Sequence, residues 1–371
     1  MRRNFDRRKF FNTSYIQSGK SHPAPSYYCQ KWAVSTTISA VSFAIRQLLG
    51  FSDWCVVVVA DMKSVRGQNS SSFFQDANFS DQRHVYLTPH QQSALPFSVV
   101  SLLPWNHFGR KNVGYLFAVH QGAKMIYDLD DDNILKPGML PKELPTVCVG
   151  TMSDKVVNPY PMFGPKTTWP RGLPLDLVKN TDTRTYSRGW NNSCGHLGIL
   201  QSLADEDPDV DAIFRLTSPH FPHSFRTRPF PVVIKRGSFA PFNAQATMFN
   251  ESCFWALLLP VTVHGRVSDI WRGYIAQAIM KHTGHLLAFS SPWVVQKRNP
   301  HDILSDFDAE IPLYTQSSSF VKFLRGWKCL EGTVPGCLEA LYIDVYERGI
   351  IEVEDVNLLQ AWLTDLLAIG Y

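Results

Sequence analysis

The chain has 371 residues, 44% of them hydrophobic and 18% charged, which excludes a disordered protein and allows a large core. Its formal net charge is +4, but six cations (Arg2, Arg3, Arg7, Arg8, Lys9 and Lys20) crowd the first twenty residues against the single acid Asp6. The body is therefore near neutral, without the basic face that a nucleic-acid-binding fold needs, so no nucleic-acid partner is expected.

Residues 1–30 read as a flexible basic segment with no apolar core of a signal peptide, and alternatively as a cytoplasmic tail ahead of a span not written here. From Trp32 to Thr37 the spacing predicts a first strand. Ile38, Val41, Ile45, Leu48 and Leu49 then recur at helical spacing up to Gly50. Cys55–Ala60 is a continuous apolar run ending at Asp61, which reads as a strand buried on both faces. Residues 64–82 lack any period and read as a surface loop, followed by a short strand at Val85–Leu87. Gly109–Gln121 reads as a helix closed by Gly122, and Lys124–Leu129 as the next strand. This order predicts an α/β fold with a mostly parallel, Rossmann-like sheet flanked by helices.

Further along, 158–174 is a loop of Pro, Gly and aromatic residues, and Asp211–Leu216 is a strand candidate. Phe254–Leu259 is apolar, Ile270–Met280 helical, and 286–295 strand-like. Residues 338–369 read as one or two packing helices. The domain reading is a main domain over 31–300 and a helical C-terminal extension over 301–371. No run of about 18 apolar residues occurs, so no membrane-spanning helix is predicted. The seven cysteines form no C-x-x-C pair: Cys55 reads as a buried strand residue, and Cys329 and Cys337 are close enough to bridge locally. Sequons begin at Asn12, Asn69, Asn78, Asn191 and Asn250 and are compatible with the secretory pathway.

The chemistry centres on Asp128-Leu129-Asp130-Asp131-Asp132, at the carboxyl end of a predicted strand, where open α/β sheets bind ligands. Clustered carboxylates repel unless a cation neutralises them, and hard cations such as Mn2+ or Mg2+ use one or two carboxylates plus substrate phosphates. Asp130 and Asp132 are the expected metal ligands, with Asp128 a third candidate. A solvated acidic turn is the plain alternative. A calcium loop of EF-hand type fails on counting, because its sixth position is Asn133 instead of Gly and its twelfth is Met139 instead of Glu. Arg110, Lys111 and Asn112, at a predicted helix start, are candidates for a diphosphate. Asp61 and Asp131 are candidates for the ribose, base or sugar, with a turn role open for Asp61.

Several long motifs point to a family. Leu103-Pro104-Trp105, Arg110 to Ala118, Asn158-Pro159-Tyr160, Trp169-Pro170-Arg171-Gly172-Leu173-Pro174, Pro208-Asp209-Val210-Asp211, Phe254-Trp255-Ala256-Leu257 and Ala361-Trp362-Leu363 resemble, in order, the STELLO proteins of the plant Golgi. The resemblance implies a GT-A-type glycosyltransferase fold with C-terminal helices, a nucleotide-sugar donor, a glycan or protein acceptor, and a Golgi lumen or membrane location. It also raises a polysaccharide synthase complex as a partner, since plant members associate with cellulose synthase. Ser268-Asp269-Ile270-Trp271-Arg272-Gly273-Tyr274 is similar to a stretch of the reversibly glycosylated polypeptides, which are UDP-arabinopyranose mutases. That similarity implies Asp269 as the catalytic or acceptor-orienting carboxylate, and a helix N-cap is the alternative. Where many GT-A enzymes place a late metal-binding His, this chain has Gln296, Lys297 and Arg298, with His301 nearby. The expected function is metal-dependent glycosyl transfer. The alternatives are a catalytically weak Golgi scaffold and a nucleotide-sugar mutase.

Overall fold

The computed structural model describes residues 3, 5, 29–37, 42–65, 83–139, 143–144, 146–149, 156–164, 166–179, 193–218, 224–297 and 302–371. Most of the basic N-terminal segment, Ile38 and Val41, the loop 66–82, the sequons at Asn12, Asn69, Asn78 and Asn191, Arg298 and His301 lie outside them.

Ten strands follow in chain order: β1 (Lys31–Thr37), β2 (Cys55–Ala60), β3 (His84–Leu87), β4 (Met125–Asp128), β5 (Asn133–Leu135), β6 (Thr146–Val149), β7 (Ser193–Asp205), β8 (Val232–Val233), β9 (Thr247–Asn250) and β10 (Leu286–Gln296). The longer helices are α1 (Phe43–Leu49), α2 (Lys111–His120), α3 (Ala212–Thr217), α4 (Gly265–Thr283), α5 (Ile303–Gly326), α6 (Val334–Glu347) and α7 (Val353–Ala368). They belong to two compact units, one comprising 1–131, 254–268 and 329–371 and the other 132–253 and 269–328. The described helical extension is thus divided, α5 lying in the second unit and α6 and α7 in the first.

In the first unit β3, β2, β1 and β4 pair in that order, all parallel. This is the start of a Rossmann-type sheet. The valine run of β2 is wholly buried, as are Trp32 and Val34 on β1 and Ile126 on β4. A Cβ on Gly114 of α2 would come within 2.7 Å of Val59 and 2.8 Å of Val34, so this glycine lets the helix lie directly on the sheet. Three buried carboxylates each clasp two consecutive backbone amides. Asp61 takes those of Asn106 and His107, Asp355 those of Val261 and Thr262, and Asp365 those of Ser98 and Val99. The last two anchor α7 to loops of the same unit. Cys55 is bonded to Cys29, which corrects its reading as a merely buried residue, and Cys329 is bonded to Cys337.

The second unit is mixed. β7 runs parallel to β10 and antiparallel to β9, while β5 and β8 pair antiparallel with β10 and β6 antiparallel with β7. The predicted strand at 211–216 is the helix α3. Asp211 is its N-cap and accepts from the Phe214 amide at 2.7 Å, a start signal that outweighs the short apolar run. α4 begins at Gly265, so Ser268 and Asp269 are its fourth and fifth residues and not its cap.

Candidate functional site

The acidic run straddles the two units, with Asp131 closing one segment and Asp132 opening the next. In the first unit Asp128 ends β4 with a fully buried side chain, and Lys111 opens α2 equally buried. The Lys111 ammonium lies 2.6 Å from Asp128 and 3.3 Å from Asp130. The cation that the cluster requires is therefore partly internal. A lysine at a helix N-terminus opposes the helix dipole, and the two carboxylates offset that. Asp131 accepts from the Thr37 hydroxyl at 2.7 Å, which ties it to the end of β1.

This geometry bears on five of the candidate residues. Asp128, enclosed against Lys111, has no exposed face for a metal. Arg110 does not present its guanidinium to a diphosphate. It is buried, donates to the Gln92 side-chain oxygen at 3.0 and 2.5 Å and to the Leu103 carbonyl at 3.3 Å, and stacks 3.8 Å over Trp105. Burial pulls its pKa down to about 10, so it remains charged at neutral pH. Asn112 is likewise internal, exchanging two hydrogen bonds of 2.9 Å with the backbone of Leu259. Lys111 has carboxylate partners in place of phosphates. Asp61 is closer to its turn reading, because its carboxylate holds the 106–107 loop.

In the second unit a buried polar network runs from α4 to the acidic run. Asp269 and Arg171 form a two-pronged ion pair, with contacts of 3.0 and 2.9 Å. Asp269 also accepts from the amides of Ala244, at 3.2 Å, and Ile270, at 3.0 Å. A carboxylate offers about four lone-pair positions, and these four donors fill them. Asp269 is thus built as a positioning group, and the expected proton acceptor for an incoming hydroxyl is corrected on that ground. The same Arg171 forms a second two-pronged pair with Asp209, at 2.8 and 3.0 Å. Asp209 accepts from the Asn243 side-chain amide at 2.5 Å, and the Asn243 backbone amide donates to Gln201 at 3.0 Å. The Gln245 amide donates to the Asn243 side-chain oxygen at 3.0 Å, and the Gln245 side chain donates to Gln296. Gln296 in turn donates to Asp132 at 3.2 Å.

Asn133 and Gln296 face each other in the β5–β10 register, and that pairing brings Gln296 to Asp132. The amides of 243–245 serve this network. Arg171, Asp209, Gln201 and Gln245 were missed as site residues, although Arg171 and Asp209 lie in motifs that carry the family resemblance.

Beside the network, Asp211 accepts from Trp169 at 2.7 Å, and Glu310 accepts from the Ala212 amide at 2.8 Å and the Tyr314 hydroxyl at 2.5 Å. Burial, and secondarily Glu310 and Asp209, push the Asp211 carboxyl up to about 6. Trp169 packs edge-on to Phe214 at 4.7 Å, in keeping with a packing role.

Among the described residues no group of three or more His, Cys, Asp or Glu forms a ready metal cage. Asp132 nonetheless fits a hard cation that takes one carboxylate plus donor phosphates. It is partly exposed, and two side-chain amides orient it.

Residues 266–371 match the family of STELLO glycosyltransferases. Over 97% of its length the chain is 28% identical to Probable glycosyltransferase STELLO1 and 29% identical to Probable glycosyltransferase STELLO2, both from Arabidopsis thaliana. The chain is thus similar to the STELLO family over nearly its whole length. It spans about half the length of these two STELLO relatives, 47% and 48% respectively. The parallel first unit and the mixed second unit fit a GT-A-like α/β fold. The family match covers most of α4 and all of α5, α6 and α7. Among the described residues no helix is long and apolar enough to cross a membrane.

Proposed function

We propose that this chain binds a nucleoside diphosphate sugar at Asp130-Asp131-Asp132 and transfers the sugar to a glycan or protein hydroxyl. In that reaction the bond from the anomeric carbon to the diphosphate oxygen breaks, one to the acceptor oxygen forms, and the acceptor's proton passes to solvent. The observation that carries the reading is the held, partly exposed carboxylate of Asp132 at the end of a buried network in a glycosyltransferase-family chain. Asp132 foremost, with Asp130 by the Asp-x-Asp spacing, would hold Mn2+ or Mg2+. When bound, the ion would stabilise charge on the departing diphosphate. Gln296 and Asn133 fix the Asp132 carboxylate before the donor arrives, and Asp131 is positioned by Thr37 to accept from sugar or ribose hydroxyls. Within the second unit, Arg171, Asp209 and Asp269 keep rigid the 243–245 turn that holds Gln296.

Two disulfides suit an oxidising compartment, which supports a lumenal location such as the Golgi. A polysaccharide synthase complex is the partner that family likeness suggests.

One observation favours a second reading. Asp269 is saturated, and Lys111 already neutralises Asp128 and Asp130, as would suit a glycosyltransferase-like scaffold with weak turnover. Donor hydrolysis and transfer, measured with and without Mn2+ across a panel of nucleotide sugars, separates the two. Enzyme function requires turnover that falls at least about a hundredfold in Asp132→Asn. Donor binding without turnover in the wild type supports the scaffold.

A further inference from the structure

Apart from the polar network, the second unit has a shallow cavity walled by cations. One wall is the turn Lys235-Arg236-Gly237-Ser238, closed by a hydrogen bond of 2.9 Å from the Ser238 amide to the Lys235 carbonyl. Gly237, at φ 84°, supplies the left-handed third residue such a turn requires. Lys235 and Arg236 are both exposed on it. The other wall is the end of α4, with Lys281 and, just beyond the helix, His285. Met280 and Leu287, both buried, give the cavity an apolar floor.

The polar groups are held but not exhausted. One Arg236 nitrogen donates to the Gly284 carbonyl at 2.9 Å, which fixes the guanidinium and leaves its other donors. His285 Nδ1 sits 2.9 Å from the Thr283 hydroxyl, leaving Nε2. Lys281 caps α5 through the carbonyls of Leu324 and Trp327, at 2.8 and 2.9 Å, so it contributes charge more than donors.

The charges are one-sided. Burial lowers the His285 pKa, and the charged neighbours that lower it further are His196 and Arg236. Burial also lowers that of Lys281, and there the neighbour is Arg325. Among the described residues no carboxylate pairs with Lys235, Arg236, Lys281 or His285. The C-terminal dipole of α4 supplies only a fraction of a negative charge, about half, against three cationic side chains. Like charges gathered around an apolar floor are relieved by a bound anion.

We propose that this cavity is a binding site for one oxyanion group, a sulfate, phosphate monoester or carboxylate, carried on a small molecule or sugar. Arg236 and Lys235 grip the anion, His285 Nε2 donates a third contact, and Met280 and Leu287 meet the body that carries it. Twelve positions along α4 separate Lys281 from Asp269, about 18 Å, and no lining residue belongs to the acidic run or to the network that holds Asp132, so the proposal is independent of the catalytic reading.

The test is a titration of the whole chain, following the His285 ring proton by NMR and heat by calorimetry, with sulfate, glucose 1-phosphate and glucuronate in separate arms and chloride as control. At least one oxyanion should raise the His285 pKa by about half a unit or more. The arm that binds tightest identifies the anion. The double variant Lys235→Ala/Arg236→Ala, which changes only exposed side chains, should weaken that binding at least about tenfold while thermal unfolding stays unchanged. Asp132→Asn should leave it intact even where donor binding is lost. No response in any arm, or an equal response in the double variant, overturns the site.

Discussion

The ammonium of Lys111 holds two carboxylates in a place where an unpaired charge is strongly disfavoured. Lys111→Ala removes the ammonium from beside the buried Asp128 carboxylate, and is expected to destabilise the first unit by about 3–5 kcal/mol in urea unfolding. Lys111→Met combined with Asp128→Leu should recover most of that loss, because apolar groups of similar volume remove both charges together. Asp211 supplies a pH signature. Its folded pKa, about 6, lies above the ordinary aspartate value, so the folded state holds the proton more tightly than the unfolded chain does. The stabilisation is full below the unfolded pKa and is lost as pH rises through about 6, by on the order of 2 kcal/mol. Asp211→Asn keeps the cap on Phe214 and should flatten the stability profile between about pH 4 and 7, measured by unfolding at fixed temperature. The acidic run was legible because five adjacent positions carry it. The Arg171 grouping was not, since Asp209 and Asp269 lie 38 and 98 positions from Arg171 and give no local spacing to read.

Elements with an unbroken local signal were plain in the sequence: the valine run of β2, the strand carrying the acids, and the apolar period of α7. β7 was missed because Gly195, Gly198, Gln201 and Ser202 interrupt its apolar positions, and it is its neighbours β9 and β10 that bury it. β5 and β8 are too short to show any period. The contact of α2 with β1 and β2 depends on Gly114. Gly114→Ala should gain roughly 1 kcal/mol of helix propensity and lose more to the displaced Val34 and Val59 methyls. The expected net loss is about 1–2 kcal/mol, with a lower melting temperature.

On the scale of the whole molecule, the described chain forms two compact units, and the disulfides Cys29–Cys55 and Cys329–Cys337 each close a loop within the first. Removing Cys29–Cys55 by paired serine substitution should cost about 3 kcal/mol, read as a lower urea midpoint. The parallel half of the fold was readable because each strand is local. The mixed half was not, because its pairings join distant segments. The division into units also runs through the first turn of α4, after Ser268, where the helical period gives no sign of a boundary. The central claim concerns Asp132 and its neighbours as a donor site. It is tested most directly by calorimetric titration of UDP and GDP into the chain with Mn2+ present. The account predicts saturable binding of at least one nucleotide, weakened at least about tenfold in Asp132→Asn while the fold is retained. Binding of equal strength in Asp132→Asn, or none to the wild type, would contradict it.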